Sequence, residues 1–141
     1  MEAARHEAEL GLNEGGIPIG CVIVHQGRII GRGHNQRVQS GSAILHGEMA
    51  ALENAGRLPS AIYRECVLYT TLSPCIMCSG AILLYGIRRV VVGENQTFLG
   101  EEELLRGRGV NVTVLQDQGC ITLMEKFIRT KPELWNEDIG V

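Results

Sequence analysis

No dense cluster of lysine and arginine occurs in the chain; the longest basic features are Arg88-Arg89 and the spaced pair Arg106 and Arg108. With 13 Lys and Arg against 16 Asp and Glu, the net charge is -3. Proteins that grip phosphate backbones normally carry a basic stripe, so duplex DNA and tRNA are disfavoured partners. A long apolar run is lacking too. The longest, Ala81 to Ile87, is closed by Arg88 and Arg89 and falls short of a bilayer span. The start, Met1 to Glu7, is acidic and helix-prone, without the basic lead or apolar centre of a signal peptide. A cytoplasmic chain with no membrane partner is the expectation.

A disulfide framework is missing as well. The five cysteines (Cys21, Cys66, Cys75, Cys78 and Cys120) are an odd number, which argues against paired bridges in a reducing compartment. No repeat, low-complexity tract or Pro/Ser-rich linker divides the chain, and the 18 glycines are spread as punctuation. What remains is an average globular mix, 45% hydrophobic and 21% charged over 141 residues. That length suits one compact domain, residues 1–141, able to fold without disulfides.

Periodicity places the elements. Residues 2–13 form a predicted helix, with Ala4, Ala8 and Leu12 at helical spacing, stopped by Glu14-Gly-Gly-Ile-Pro. Two β-branched runs, 19–25 and 29–33, are parted by Gln26-Gly27-Arg28, a hairpin signal. A helix follows from Leu45 to Asn54, a strand at 66–71, and a helix from Cys75 to Tyr85 opened by Pro74 and ended by Gly86. Arg89–Gly93 and Val110–Leu115 are further strands, with helices at 101–107, 120–130 and Pro132–Gly140. An initial hairpin followed by alternating strands and helices predicts a mixed five-stranded sheet covered on both faces, a three-layer α/β/α sandwich.

The chemistry concentrates in His46-Gly47-Glu48 and Pro74-Cys75-Ile76-Met77-Cys78. In a first helical turn Cys75 and Cys78 share a face, and the positive helix start favours their thiolates. His46 adds an imidazole nitrogen. One nitrogen and two sulfurs suit Zn2+, and three protein ligands leave a fourth position for water, a catalytic design. Glu48 then serves as a proton shuttle beside the metal. A lone C-x-x-C is equally a structural zinc half-site or a redox pair. Cys21, Cys66 and Cys120 sit in apolar runs and read as core filler, however, and a redox pair has no use for His46 or Glu48. Together the two pieces match the H-x-E and P-C-x-x-C signature of zinc nucleobase deaminases.

From Gly15 to Gly140 the chain resembles the fungal-type cytosine deaminases of the cytidine deaminase-like superfamily. The resemblance rests on Glu14-Gly-Gly-Ile-Pro-Ile-Gly, Gly31-Arg-Gly-His-Asn, Ser42 to Glu48, Leu68-Tyr-Thr-Thr-Leu-Ser-Pro-Cys, Val92-Gly-Glu-Asn and Trp135-Asn-Glu-Asp-Ile-Gly. It implies a homodimer of similar three-layer domains that converts cytosine to uracil and ammonia. It implies that Asn35 and the Gly47 N–H bind the polar edge of the ring, and that Asp138 accepts from the amino group. Phe98 and Trp135 would cover the ring, with Ile17 and Leu72 as apolar walls. Where the family often has a second aromatic after the tryptophan, this chain has Asn136.

Read alone, Asn35 suits a turn, the two aromatics suit packing, and Asp138 suits a solvated tail. His6, His25 and His34 are left as structural or exposed. The rival activities are deamination of a substituted cytosine, a pterin or a purine base and, behind them, of tRNA adenosine. A zinc-stabilised binding module is the rival of a different class, and Glu48 speaks against it.

Overall fold

The computed structural model describes residues 1–141. Its elements are α1 (Glu2–Asn13), β1 (Gly20–His25), β2 (Arg28–His34), α2 (Arg37–Ser40), α3 (Gly47–Ala55), α4 (Ser60–Glu65) and β3 (Val67–Leu72). Then come α5 (Ile76–Tyr85), β4 (Arg89–Glu94), α6 (Glu102–Gly107), β5 (Asn111–Val114), α7 (Gln118–Thr130) and α8 (Pro132–Asp138). The five strands form one sheet in the order β2-β1-β3-β4-β5. β1 runs antiparallel to β2 and to β3, whereas β3, β4 and β5 are parallel. The expected mixed sheet is present.

The hairpin is tighter than expected. Arg28 pairs with His25 inside the ladder, so the turn is Gln26-Gly27 alone. Both have positive φ, 48° and 77°, the geometry that matches the twist of a two-residue hairpin.

Helices cover both faces of the sheet. α3 lies on β2 at glycine positions: a Cβ on Gly33 would stand 2.7 Å from Ala50 Cβ, and one on Gly31 2.7 Å from Ala55 Cβ. This close seat fixes the depth of α3, and with it His46 and Glu48 at its start. On that face Cys21, Ile23, Ala51, Leu68, Ile82, Val90, Val92 and Leu105 build the main core. α1 and α7 cover the other face. Gly20 abuts α1 through Ala4 and Ala8, and Gly93 of β4 abuts Cys120 of α7. A second cluster of Ile17, Ile19, Leu72, Met124, Phe127 and Trp135 fills the end of the sheet where the parallel strands finish. Cys21, Cys66 and Cys120 are buried and free, the packing role expected of them. No helix is long and apolar enough to cross a membrane.

Candidate metal centre and pocket

His46 and Cys75 each stand one residue before a helix, as the N-caps of α3 and α5, in extended backbone conformation (ψ 165° and 175°). The sequence placed both within their helices; the observed starts are Gly47 and Ile76. Cys78 still falls in the first turn of α5, so both sulfurs gather at that helix start. His46 Nδ1 lies 3.5 Å from Cys75 Sγ and 3.8 Å from Cys78 Sγ, and the three ligand atoms all lie within 4.8 Å of one another. Tetrahedral zinc, with bonds of about 2.0 Å to nitrogen and about 2.3 Å to sulfur, sets such donors roughly 3.5–3.8 Å apart. The donor set fits zinc.

The charges are arranged for it. Cys78 donates its thiol proton to Cys75, and with the bond to His46 this draws the Cys75 thiol down to about 4 against the opposing effect of burial. The same proton-sharing, together with burial, holds the Cys78 thiol well above its ordinary range. Burial works to lower His46, but its bond to Cys75 and the nearby Asp138 charge outweigh burial and raise it. A cation that binds here displaces the remaining thiol protons.

Glu48 follows on α3 and is 3% exposed. Burial, and then the Cys75 charge, push its carboxyl up. Thr70 of β3 donates to Glu48 Oε1 at 2.9 Å. The pocket brings His46, Glu48 and Cys75 together with Leu72, Phe98, Trp135 and Asp138. Phe98 and Trp135 meet edge to face with centroids 5.8 Å apart. Asp138 is buried rather than solvated, and its Oδ1 sits 3.6 Å from His46 Nε2.

Three of the expected substrate contacts do not line this pocket. Ile17 is fully buried in the second cluster, and Ile19 lines the pocket in its place. The backbone turns between them, Ile19 N–H donating to Ile17 O at 2.8 Å. Asn35 is fully buried, with Nδ2 donating to Asp138 and Oδ1 accepting from the Arg37 N–H. Gly47 opens α3 beside Ile19, where a Cβ would stand 2.9 Å from the Ile19 carbonyl oxygen. The sequence reading missed Ile19, Ser73 and Ile139 of the lining. Ser73 stands directly before Pro74 in the metal motif, a position that offered a signal. Its hydroxyl donates to the buried Glu102 at 2.9 Å and accepts from the Gly100 N–H at 3.0 Å, which anchors the loop bearing Phe98. His34 is structural, its two ring nitrogens 3.1 and 2.8 Å from Glu7 and Glu14.

Comparison with known proteins agrees with this geometry. A cytosine deaminase of Candida albicans is 60% identical over 141 residues, covering 99% of this chain and 94% of the relative. A tRNA-specific adenosine deaminase of Streptococcus pyogenes is 42% identical over 140 residues, covering 92% of this chain and 87% of the relative. Among solved structures, one from work on A-to-I editing tRNA deaminases superposes with a TM-score of 0.73 at 28% identity, covering 87% of this chain and 96% of that one. A guanine deaminase from Bacillus subtilis gives 0.59 at 30% identity, covering 78% and 68%. The model of the cytidine and deoxycytidylate deaminase zinc-binding region matches residues 1–94, the stretch that holds His46, Glu48, Cys75 and Cys78. The chain belongs to the zinc-binding cytidine and deoxycytidylate deaminase family.

Proposed function

We propose that this chain is a zinc-dependent hydrolytic deaminase that converts cytosine to uracil and ammonia, with residues 1–141 acting as one catalytic domain. The observation that carries the choice of cytosine is the 60% identity, over 99% of this chain, to the Candida albicans cytosine deaminase. Trp135 and Asp138 of α8 and Phe98 of the loop after β4 line the pocket beside His46 and Cys75, so a small flat amino-heterocycle meets aromatic walls and the buried acceptor carboxylate of Asp138. The acidic balance of the chain works against tRNA.

Zinc held by His46, Cys75 and Cys78 supplies an activated water near neutral pH. Glu48 would take one proton from the water that bonds to C4 of the ring and deliver it to N3, then carry the proton of the new C4 hydroxyl to the amino group, so that the C4–N bond breaks, ammonia leaves and C4 becomes a carbonyl. The sum is cytosine plus water to uracil plus ammonia. Burial suits Glu48 to this work, because a carboxyl raised above its ordinary range accepts a proton more readily. Asp138, an acceptor-only carboxylate, selects the amino group. Asn35 and Gly47 act from behind the pocket lining: Asn35 holds the Asp138 carboxylate through Nδ2, and Gly47 seats the start of α3 against Ile19. Phe98 and Trp135 cover its face and exclude water, Leu72 and Ile19 are its walls, and Ile17 backs them.

The chain works as a homodimer, a reading supported by the exposed apolar side chains Ile44, Ile76, Leu84 and Leu99. Its five free cysteines suit the cytoplasm. An ammonia-release screen over free bases, nucleosides and tRNA tests the substrate. Cytosine should give the highest kcat/KM, and a preference for guanine, a pterin or tRNA overturns the assignment.

A further inference from the structure

The Asp138 side chain is 2% exposed and ends the seven-residue helix α8. A buried carboxylate stays where its donors hold it, because each donor lost leaves an acceptor unsatisfied. Its donors come from one short stretch of chain. Asn35 Nδ2 lies 3.0 and 3.1 Å from the two carboxylate oxygens, and Arg37 Nη1 donates to Oδ1 at 2.9 Å.

Arg37 is itself fixed from three sides. Its Nε donates to Ala43 O at 3.1 Å. Nη1 and Nη2 donate to the Glu137 carboxylate at 3.1 and 2.6 Å. Its backbone N–H donates to Asn35 Oδ1 at 3.0 Å. Asn35, Arg37 and Asp138 thus close a ring of hydrogen bonds, while Arg37 stays outside the pocket lining.

We propose that Arg37 is a positioning residue for substrate capture. Through Asp138 and Asn35 it sets the polar edge of the pocket, and because Asp138 ends α8 it holds the helix bearing Trp135 across the site. The inference rests on the deaminase reading, in which Asp138 is the amino-group acceptor. A guanidinium suits the task because its planar fork serves Asp138, Glu137 and a backbone carbonyl at once, which a lysine ammonium does as a single point. Asp138 carries the effect, since the Glu137 side chain is 57% exposed and its pairing is screened by solvent.

The experiment compares zinc-loaded wild type, Arg37→Ala, Arg37→Lys, Asp138→Asn and the double variant Arg37→Ala/Asp138→Asn. It reads ammonia release from cytosine and acrylamide quenching of Trp135, the only tryptophan in the chain. Arg37→Ala should keep zinc, raise KM by about tenfold or more with kcat within about threefold, and expose Trp135 to quencher. Arg37→Lys should recover part of both changes. In the Asp138→Asn background Arg37→Ala should add less than about twofold, the non-additivity expected of residues acting as one unit. A loss confined to kcat, fully additive losses, or unchanged Trp135 quenching in Arg37→Ala overturns the proposal. If Arg37→Ala fails to fold, Arg37→Lys decides alone: intermediate KM and quenching support it, wild-type values overturn it. If wild type releases no ammonia from cytosine, the substrate reading has failed, and the Trp135 quenching still decides the role of Arg37.

Discussion

Thr70 of β3 holds one oxygen of Glu48 of α3 through a 2.9 Å hydrogen bond, tying this carboxylate to the middle of the sheet rather than to a loop. Both residues are buried, so the bond fixes the carboxylate plane without competition from water. Glu48→Gln keeps the shape and the Thr70 contact but cannot shuttle a proton. It should retain one zinc per chain and lose about 10² to 10⁴-fold in kcat, measured by metal analysis and steady-state ammonia release. Near-normal turnover contradicts the shuttle role.

The zinc-free chain should have one reactive cysteine. The thiolate is the nucleophile, and Cys75 is drawn down to about 4, whereas burial pushes Cys120 up to about 12 and raises Cys21 and Cys66. Brief iodoacetamide treatment at about pH 6 should label Cys75 first in chelator-treated protein. Added zinc should protect it. Mass spectrometry of tryptic peptides reads the outcome, and labelling at Cys21, Cys66 or Cys120 ahead of Cys75 contradicts the charge distribution described above.

Asp117 caps α7, its carboxylate accepting from the Cys120 N–H at 3.0 Å. That bond, ahead of a contact with Arg5, lowers the Asp117 carboxyl despite partial burial. A carboxyl lowered on folding adds stability that is fully present above its unfolded value and fades as pH falls through the folded one. Asp117→Ala should therefore cost about 1 kcal/mol at neutral pH. The gap should narrow towards about pH 3, below the ordinary aspartate value of about 3.9. Urea unfolding at both pH values checks it. A gap of constant size denies the ionic character of the cap.

Phe98→Ala removes the edge-to-face partner of Trp135 and one cover of the pocket. An aromatic pair is worth about 0.5–1.5 kcal/mol beyond its buried area, so KM should rise on the order of tenfold while zinc content stays unchanged. Zinc loss in this variant would mean that Phe98 supports the metal centre rather than the substrate.

The metal centre was legible because its residue types and spacing are dictated by coordination chemistry, and the glycines and prolines flanking the helices marked where His46 and Cys75 would sit. The strands were legible from their β-branched runs. Two helices escaped. α2 (Arg37–Ser40) is a single turn with no buried residue and no side-chain cap, and α4 (Ser60–Glu65) buries only Tyr63, so neither shows an apolar face in the sequence. Arg37 escaped for the same reason. Its partners, Glu137 and Asp138, lie about a hundred residues away, and no local pattern announces such a pair. The Ile17 and Ile19 exchange has another cause, a backbone turn just before β1 that no alternation rule anticipates.

Deamination of cytosine, as proposed, requires a zinc ion held by His46, Cys75 and Cys78. Zinc titration of chelator-treated protein, followed by ammonia release from cytosine, tests it directly. Activity should rise with added zinc and level off at one ion per chain, and Cys78→Ser should neither hold the ion tightly nor turn over. Full activity without zinc, or in Cys78→Ser, contradicts the account.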